Sequence, residues 1–403
     1  MQLTRRGIAA IVAAVIVIWA ISLTGLRWRY PHGRSHCCIK LVRLALDAYA
    51  DRHIGRFPSG QSSPEASLGL LYREGLLDAE TLCGKSVPPE ITREVLASGQ
   101  LLSSESCGWH YVEGLNKSDD KRLAVLWDKV GLGHNGQRTL RGSREVLMVD
   151  GTIKWVVAKE WAAFLSRQDE LFKNRGASES NHMASAVEQP QSREKQAAPA
   201  SSVGTSARLS GSSVQLPVRF HRQQHALSCE AAALKIALDY QGAHVSEESI
   251  ISKLHFDRTP HTNGVWGDPD AGFVGNIDGT MPLDGYGIHC RPLAETARNW
   301  KKAEPIENGS IQDLTRHLVA HRPVVVWGFM SRGQPITWHT PAGKLVRAAD
   351  GEHARVVCGF RGGPEDPDGF FIMDPTCGLA YWPKKLFLIN WDSLNRSGVV
   401  VYP

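Results

Sequence analysis

A chain of 403 residues with a formal net charge of +5 is long enough for two domains, each with its own core. The charge is mild and dispersed, and no basic stripe interleaves with aromatics, which argues against nucleic acid as a partner. His134 and His289 have no ligand spacing and no Cys-x-x-Cys occurs, so the sequence calls for no metal and no cofactor.

The first element is apolar. Residues Gly7 to Leu26 form an uncharged run of twenty, flanked by Arg5 and Arg6 on one side and Arg27 and Arg29 on the other. At about 1.5 Å per residue such a helix spans a hydrocarbon core of roughly 30 Å. The run is long, and Leu26-Arg27-Trp28-Arg29 supplies no small-residue cleavage site. Residues 1–30 are therefore expected to be an uncleaved single-pass anchor. Arg34, Lys40 and Arg43 would favour a cytoplasmic C-terminal side, whereas the cysteines point outward. Cys37, Cys38, Cys83 and Cys107 suit a disulfide frame in an oxidising compartment, with at most two bridges and three connectivities. The expected location is the bacterial inner membrane, with the globular domains outside the cytoplasm.

Residues 31–175 read as a small α+β domain. Cys38 to Ala50 predicts an amphipathic helix with Val42, Ala45, Leu46 and Tyr49 on one face. Ala124 to Trp127, Glu145 to Val149 and Thr152 to Val157 predict strands, the last two joined by an Asp150-Gly151 hairpin turn. This pattern, with its leading apolar helix, Gly55-Arg56-Phe57-Pro58 and Ser67-Leu68-Gly69-Leu70-Leu71-Tyr72, resembles the secretion pseudopilins. The resemblance implies envelope or secretion components as partners. Val12 stands where a prepilin cleavage signal has Glu, which speaks against assembly into a fibre. Residues 176–215 then shift to Ser, Ala, Gln, Gly and Pro, the composition of a flexible linker between two independently folding units.

In residues 216–403 a polar loop turns into an apolar helix at Cys229. Ser228 is placed as N-cap, Leu234, Ile236, Leu238 and Tyr240 as apolar positions, and Gly242 as the stop. A thiol on the first turn of a helix is expected to ionise early, because free amides and the dipole favour the thiolate. His353 starts one short strand and Asp374 ends a second. Adjacent antiparallel pairing would bring them together as base and orienting acid. Gln223, six residues before Cys229, is the candidate oxyanion donor, with Gln224 as the other choice.

These segments resemble the papain-like cysteine peptidases that trim double-glycine leaders in bacteriocin exporters, and especially their stand-alone relatives. Gln223 with Cys229, Gly351-Glu352-His353-Ala354 and the strand ending in Asp374-Pro375 carry the resemblance. Trp266-Gly267-Asp268-Pro269 and Gly285-Tyr286-Gly287 are similar to the stand-alone branch, which implies that Trp266, Asp268 and Tyr286 shape a substrate cleft. Glu230 occupies the position where exporter peptidases usually have Gly, and no ATP-binding cassette follows. The expected fold class is α+β: an N-terminal transmembrane helix, a pseudopilin-like α+β domain, and a papain-like domain in which a helix packs on an antiparallel sheet. The expected activity is hydrolysis of a peptide or protein substrate. A silent peptide-binding module and a thiol acyl or peptidyl transferase are the alternatives.

Overall fold

A computed structural model describes residues 27–32, 38–133, 136–139, 141–183, 213–330 and 333–403. The apolar run Gly7 to Leu26, Cys37, and most of the 176–215 linker lie outside the described residues. Among the described residues, no helix is long and apolar enough to cross a membrane.

The first domain opens with α1 (Ile39–Arg52), whose buried Leu41, Val42, Ala45, Leu46 and Tyr49 face the core. A four-stranded antiparallel sheet follows in the order β1 (Trp109–Tyr111), β2 (Ala124–Asp128), β3 (Arg144–Met148) and β4 (Ile153–Val156). The turn between β3 and β4 needs Gly151. Its φ is +80°, and a Cβ there would stand 2.2 Å from the Arg43 guanidinium. Beneath the sheet Lys85 is fully buried, held by Asp128 at 2.5 Å and Glu145 at 2.8 Å. A long helix, α2 (Trp161–Met183), closes the domain and runs past the boundary expected at residue 175.

The second domain begins earlier than residue 216, because β5 (Ser213–Gln215) already pairs with its sheet. After α3 (Cys229–Tyr240) and α4 (Cys290–Ala297) come β6 (Ala303–Ile306), α5 (Ile311–Val319) and β7 (Val324–Phe329). The hairpin β8 (Pro335–His339) and β9 (Leu345–Ala349) stands apart as a two-stranded sheet. Then follow β10 (Glu352–Gly362), β11 (Pro367–Asp374), β12 (Gly378–Pro383), α6 (Lys384–Asp392) and β13 (Gly398–Val401). The main sheet runs β12-β11-β10-β7-β13-β6 with β5 added to β10, and every pairing in it is antiparallel. Hydrophobic α3, with Ala231 to Ala233, Leu234, Ile236 and Leu238 all buried, packs on β10.

The two domains are not separate cores. One continuous set of buried apolar contacts includes Leu41, Leu44 and Leu46 of α1 together with Phe370, Phe387 and Trp391 of the second domain. Across the boundary the Lys385 ammonium donates to the Glu74 carbonyl at 2.8 Å. Lys40 donates to the Thr376 hydroxyl at 3.2 Å. The linker composition suggested independent units, but composition carries no information about a joint formed elsewhere in the chain.

Candidate active site

Cys229 is the first residue of α3 and is 4 % exposed. The helix stops as expected, with Gly242 at φ +84°. Ser228 occupies the N-cap position but makes no bond to the helix amides. Its hydroxyl accepts the His225 amide at 3.1 Å and so braces the preceding loop.

Two buried acids face the thiol. Cys229 donates to the Glu230 carboxylate at 3.2 Å and also lies against the Ala354 amide. One ligand atom each from Cys229, Glu230 and Glu352 lie within 4.8 Å of one another. Glu230 Oε1 accepts the Ile288 amide at 2.8 Å, while among the described residues neither oxygen of Glu352 has a hydrogen-bond partner. Two carboxylates buried this close need a proton between them or a cation beside them. A search for paired histidines passes over this set, because Glu352 joins the adjacent Cys229 and Glu230 only when β10 lies across the start of α3.

These surroundings reverse the expected behaviour of the thiol. Burial, then Glu230 and Glu352, push Cys229 well above its ordinary value. Burial also lifts Glu230 to about 7, and burial together with Glu230 lifts Glu352 well above the carboxylate range. Desolvation and two like-signed neighbours outweigh the helix terminus, so the resting thiol is protonated at neutral pH.

His353 and Asp374 do meet. Antiparallel register sets Val356 beside Met373, so the start of β10 lies beside the end of β11. His353 Nε2 stands 3.1 Å from Asp374 Oδ2. The same oxygen accepts Arg355 Nε at 2.8 Å, and Asp374 Oδ1 accepts the Thr376 amide and hydroxyl, each at 2.7 Å. Burial alone would raise Asp374, but His353, Arg355 and Thr376 outweigh it and hold the carboxyl well below its usual range. Burial draws His353 down to about 4 against the pull of Asp374, with Arg355 and Lys40 adding to the fall. The imidazole is therefore neutral at rest. Lys40 comes from the first domain, and no motif in the second marks it.

Strand alternation separates the two clusters. Glu352 and Ala354 approach the thiol, while His353 and Arg355 serve Asp374. Among the described residues no hydrogen bond joins Cys229 to His353. Gln223 is also turned inward. Its Nε2 donates to the His225 and Ala226 carbonyls at 2.9 and 3.1 Å, and its backbone amide donates to Pro375 at 3.0 Å. Gln224 is exposed, its backbone amide bound to Glu247.

Trp266 and Tyr286, expected on the wall of a cleft, are 1 % and 0 % exposed and pack with Trp338 in a small core of their own. Asp268 pairs with Lys344 at 3.0 Å. Rings this large in a glycine-rich segment read equally as a surface for substrate or as the filling of a loop. Here they fill the segment that supplies the Ile288 amide to Glu230.

Residues 215–399 match the Peptidase C39 like family. The C-terminal domain is C39 peptidase-like. The match supports cysteine-type peptidase as the enzyme class of that segment. Over 214 aligned residues the chain is 27 % identical to YvpB, an uncharacterized protein of Bacillus subtilis strain 168; the match covers 50 % of this chain and 81 % of that protein. Among solved structures, a C39-like peptidase from Bacillus anthracis is 26 % identical with a TM-score of 0.42, covering 48 % of this chain and 98 % of that one. Xylellain, a cysteine protease from Xylella fastidiosa, is 16 % identical with a TM-score of 0.25, covering 48 % and 86 % respectively.

Proposed function

We propose that the chain hydrolyses peptide bonds through Cys229, with His353 as base and Asp374 as the group that orients it. The observation that carries this reading is the buried His353–Asp374 pair on β10, the strand whose next residue, Ala354, touches the Cys229 thiol. The resting thiol bonds to Glu230, so productive binding of a peptide has to turn it from that carboxylate toward the imidazole. His353 then takes the thiol proton, and the thiolate sulfur bonds to the carbonyl carbon. His353 returns the proton to the leaving amine, and water releases the acyl group. The Cys229 amide lies where the oxyanion forms, and Gln223 joins it on releasing its loop carbonyls. The resemblance to leader peptidases makes peptides with two consecutive glycines the first substrates to try.

Incubating the full chain with a peptide set containing double-glycine sites should give two fragments per cleaved peptide, and Cys229→Ala should give none. A protonated thiol beside two acids favours a second reading, a peptide-binding domain without turnover. Binding of uncut peptide by both wild type and Cys229→Ala would establish that reading. The proposal extends to place: residues Gly7 to Leu26 anchor the chain in the bacterial inner membrane with the folded part outside the cytoplasm, where the first domain meets envelope components. Resistance of the folded part to protease added to intact spheroplasts would overturn that orientation.

A further inference from the structure

The thiols of Cys38 and Cys377 belong to different domains and face one another in hydrogen-bond contact. Cys38 is the N-cap of α1, buried at 4 % exposure, and makes no bond to the helix amides. Cys377 lies in the turn between β11 and β12. Their approach is fixed independently by Lys40, two residues after Cys38. It donates to the Thr376 hydroxyl at 3.2 Å and lies 3.5 Å from the Met330 sulfur. Thr376, next to Cys377, holds Asp374 Oδ1 through both its amide and its hydroxyl.

We propose that Cys38 and Cys377 form a disulfide that joins the two domains covalently beside the turn carrying Asp374. The sequence suggested a frame confined to the first domain; the fold instead gives Cys38 a partner in the second. In forming the bond the two thiols lose two protons and two electrons. The electron acceptor is a disulfide, either a small dithio compound or the disulfide of a thiol oxidoreductase, which is reduced to two thiols. One of the two thiols forms the mixed disulfide with that acceptor, and the other attacks it to close the Cys38–Cys377 bond and release the second thiol. The site is independent of peptide hydrolysis: it uses neither Cys229 nor His353.

The test uses the full chain with thiols blocked by N-ethylmaleimide at harvest, followed by digestion without reductant and mass spectrometry. The expected result is one cross-linked peptide pair containing Cys38 and Cys377, present in wild type and in Cys37→Ser, and absent from Cys38→Ser and from Cys377→Ser. The purified reduced chain should regain the same pair in oxidised glutathione. Recovery of Cys38 and Cys377 both blocked at harvest, with no cross-link after incubation in oxidised glutathione, would overturn the proposal. So would a cross-link that survives Cys38→Ser. Because each serine variant removes only one sulfur, circular dichroism matching wild type would show that a lost cross-link is not a lost fold.

Discussion

Burial, Glu230 and then Glu352 set how the thiol behaves, and Glu352 is the one whose charge can be removed without touching the residue beside Cys229. Among the described residues both of its oxygens are buried without partners within reach of Cys229, so once it ionises its charge acts on the thiol unshielded. Glu352→Gln removes that charge and is expected to bring the Cys229 alkylation profile to lower pH. Labelling at pH 7 should rise roughly tenfold for each unit the thiol pKa falls. Iodoacetamide rates across pH, with Cys229→Ala as the blank, measure it. A second consequence appears in stability. His353 has a folded value of about 4 against an ordinary 6.5, so below pH 6.5 the unfolded chain binds a proton that the folded chain refuses. That group weakens the fold as pH falls from 6.5 toward 4. Glu230 works in the opposite sense, since at about 7 against 4.5 it keeps a proton that the unfolded chain releases, and it weakens the fold as pH rises. In the wild type the two oppose each other at about 1.4 kcal/mol per proton and pH unit. Urea titrations should therefore show His353→Gln losing stability from pH 5 to 7 relative to wild type, and Glu230→Gln gaining over the same range. Parallel pH curves for both variants and wild type would refute the assignment. The residue types of the site were legible in the sequence, because His353 and Asp374 sit on two strands joined by a short turn. The charge state of Cys229 was not, because Glu352 reaches the thiol only through tertiary packing.

At the scale of elements, β10 ties the site together: its two faces serve the two clusters, and its flanks receive β7, β11 and β5. Gly328 of β7 stands opposite His353, and a Cβ there would lie 1.9 Å from Asn390 Oδ1. That oxygen accepts Arg355 Nη1 at 3.2 Å, and Arg355 in turn holds Asp374. Gly328→Ala must therefore displace α6 or break the Asn390–Arg355 bond. It is expected to cost about 2 kcal/mol or more, with a matching fall in urea midpoint. Arg355→Met should cost more, about 3 to 5 kcal/mol, because it strips a buried carboxylate of its cation. The strands nearest the site were readable from their runs of Val, Ile and Phe. The short edge strands β5 and β6 were not, since three or four residues of mixed character take their conformation from the strand beside them.

At the scale of the molecule, the first domain takes part in the site, because Lys40 bonds Thr376 and adds to the field on His353. Lys40→Gln should raise the His353 pKa by a few tenths of a unit or more, as read by histidine NMR titration of the full chain. A joint of this kind leaves no trace in composition or periodicity, which is why the sequence read as two beads on a string. The continuous core predicts that both halves unfold together. Near-UV signals from Trp109 in the first half and Trp391 in the second should be lost in one transition.

The apolar joint has a consequence for how the protein can be built. A polypeptide whose halves meet over a buried apolar surface does not depend on the peptide bond between them. Residues 1–183 and 213–403, expressed as two genes in one cell, should find each other and purify as a stoichiometric pair, a natural candidate for fragment complementation. A proteolytic nick between them would then leave the assembled form intact, so that cleavage of the chain and loss of the particle become separate events.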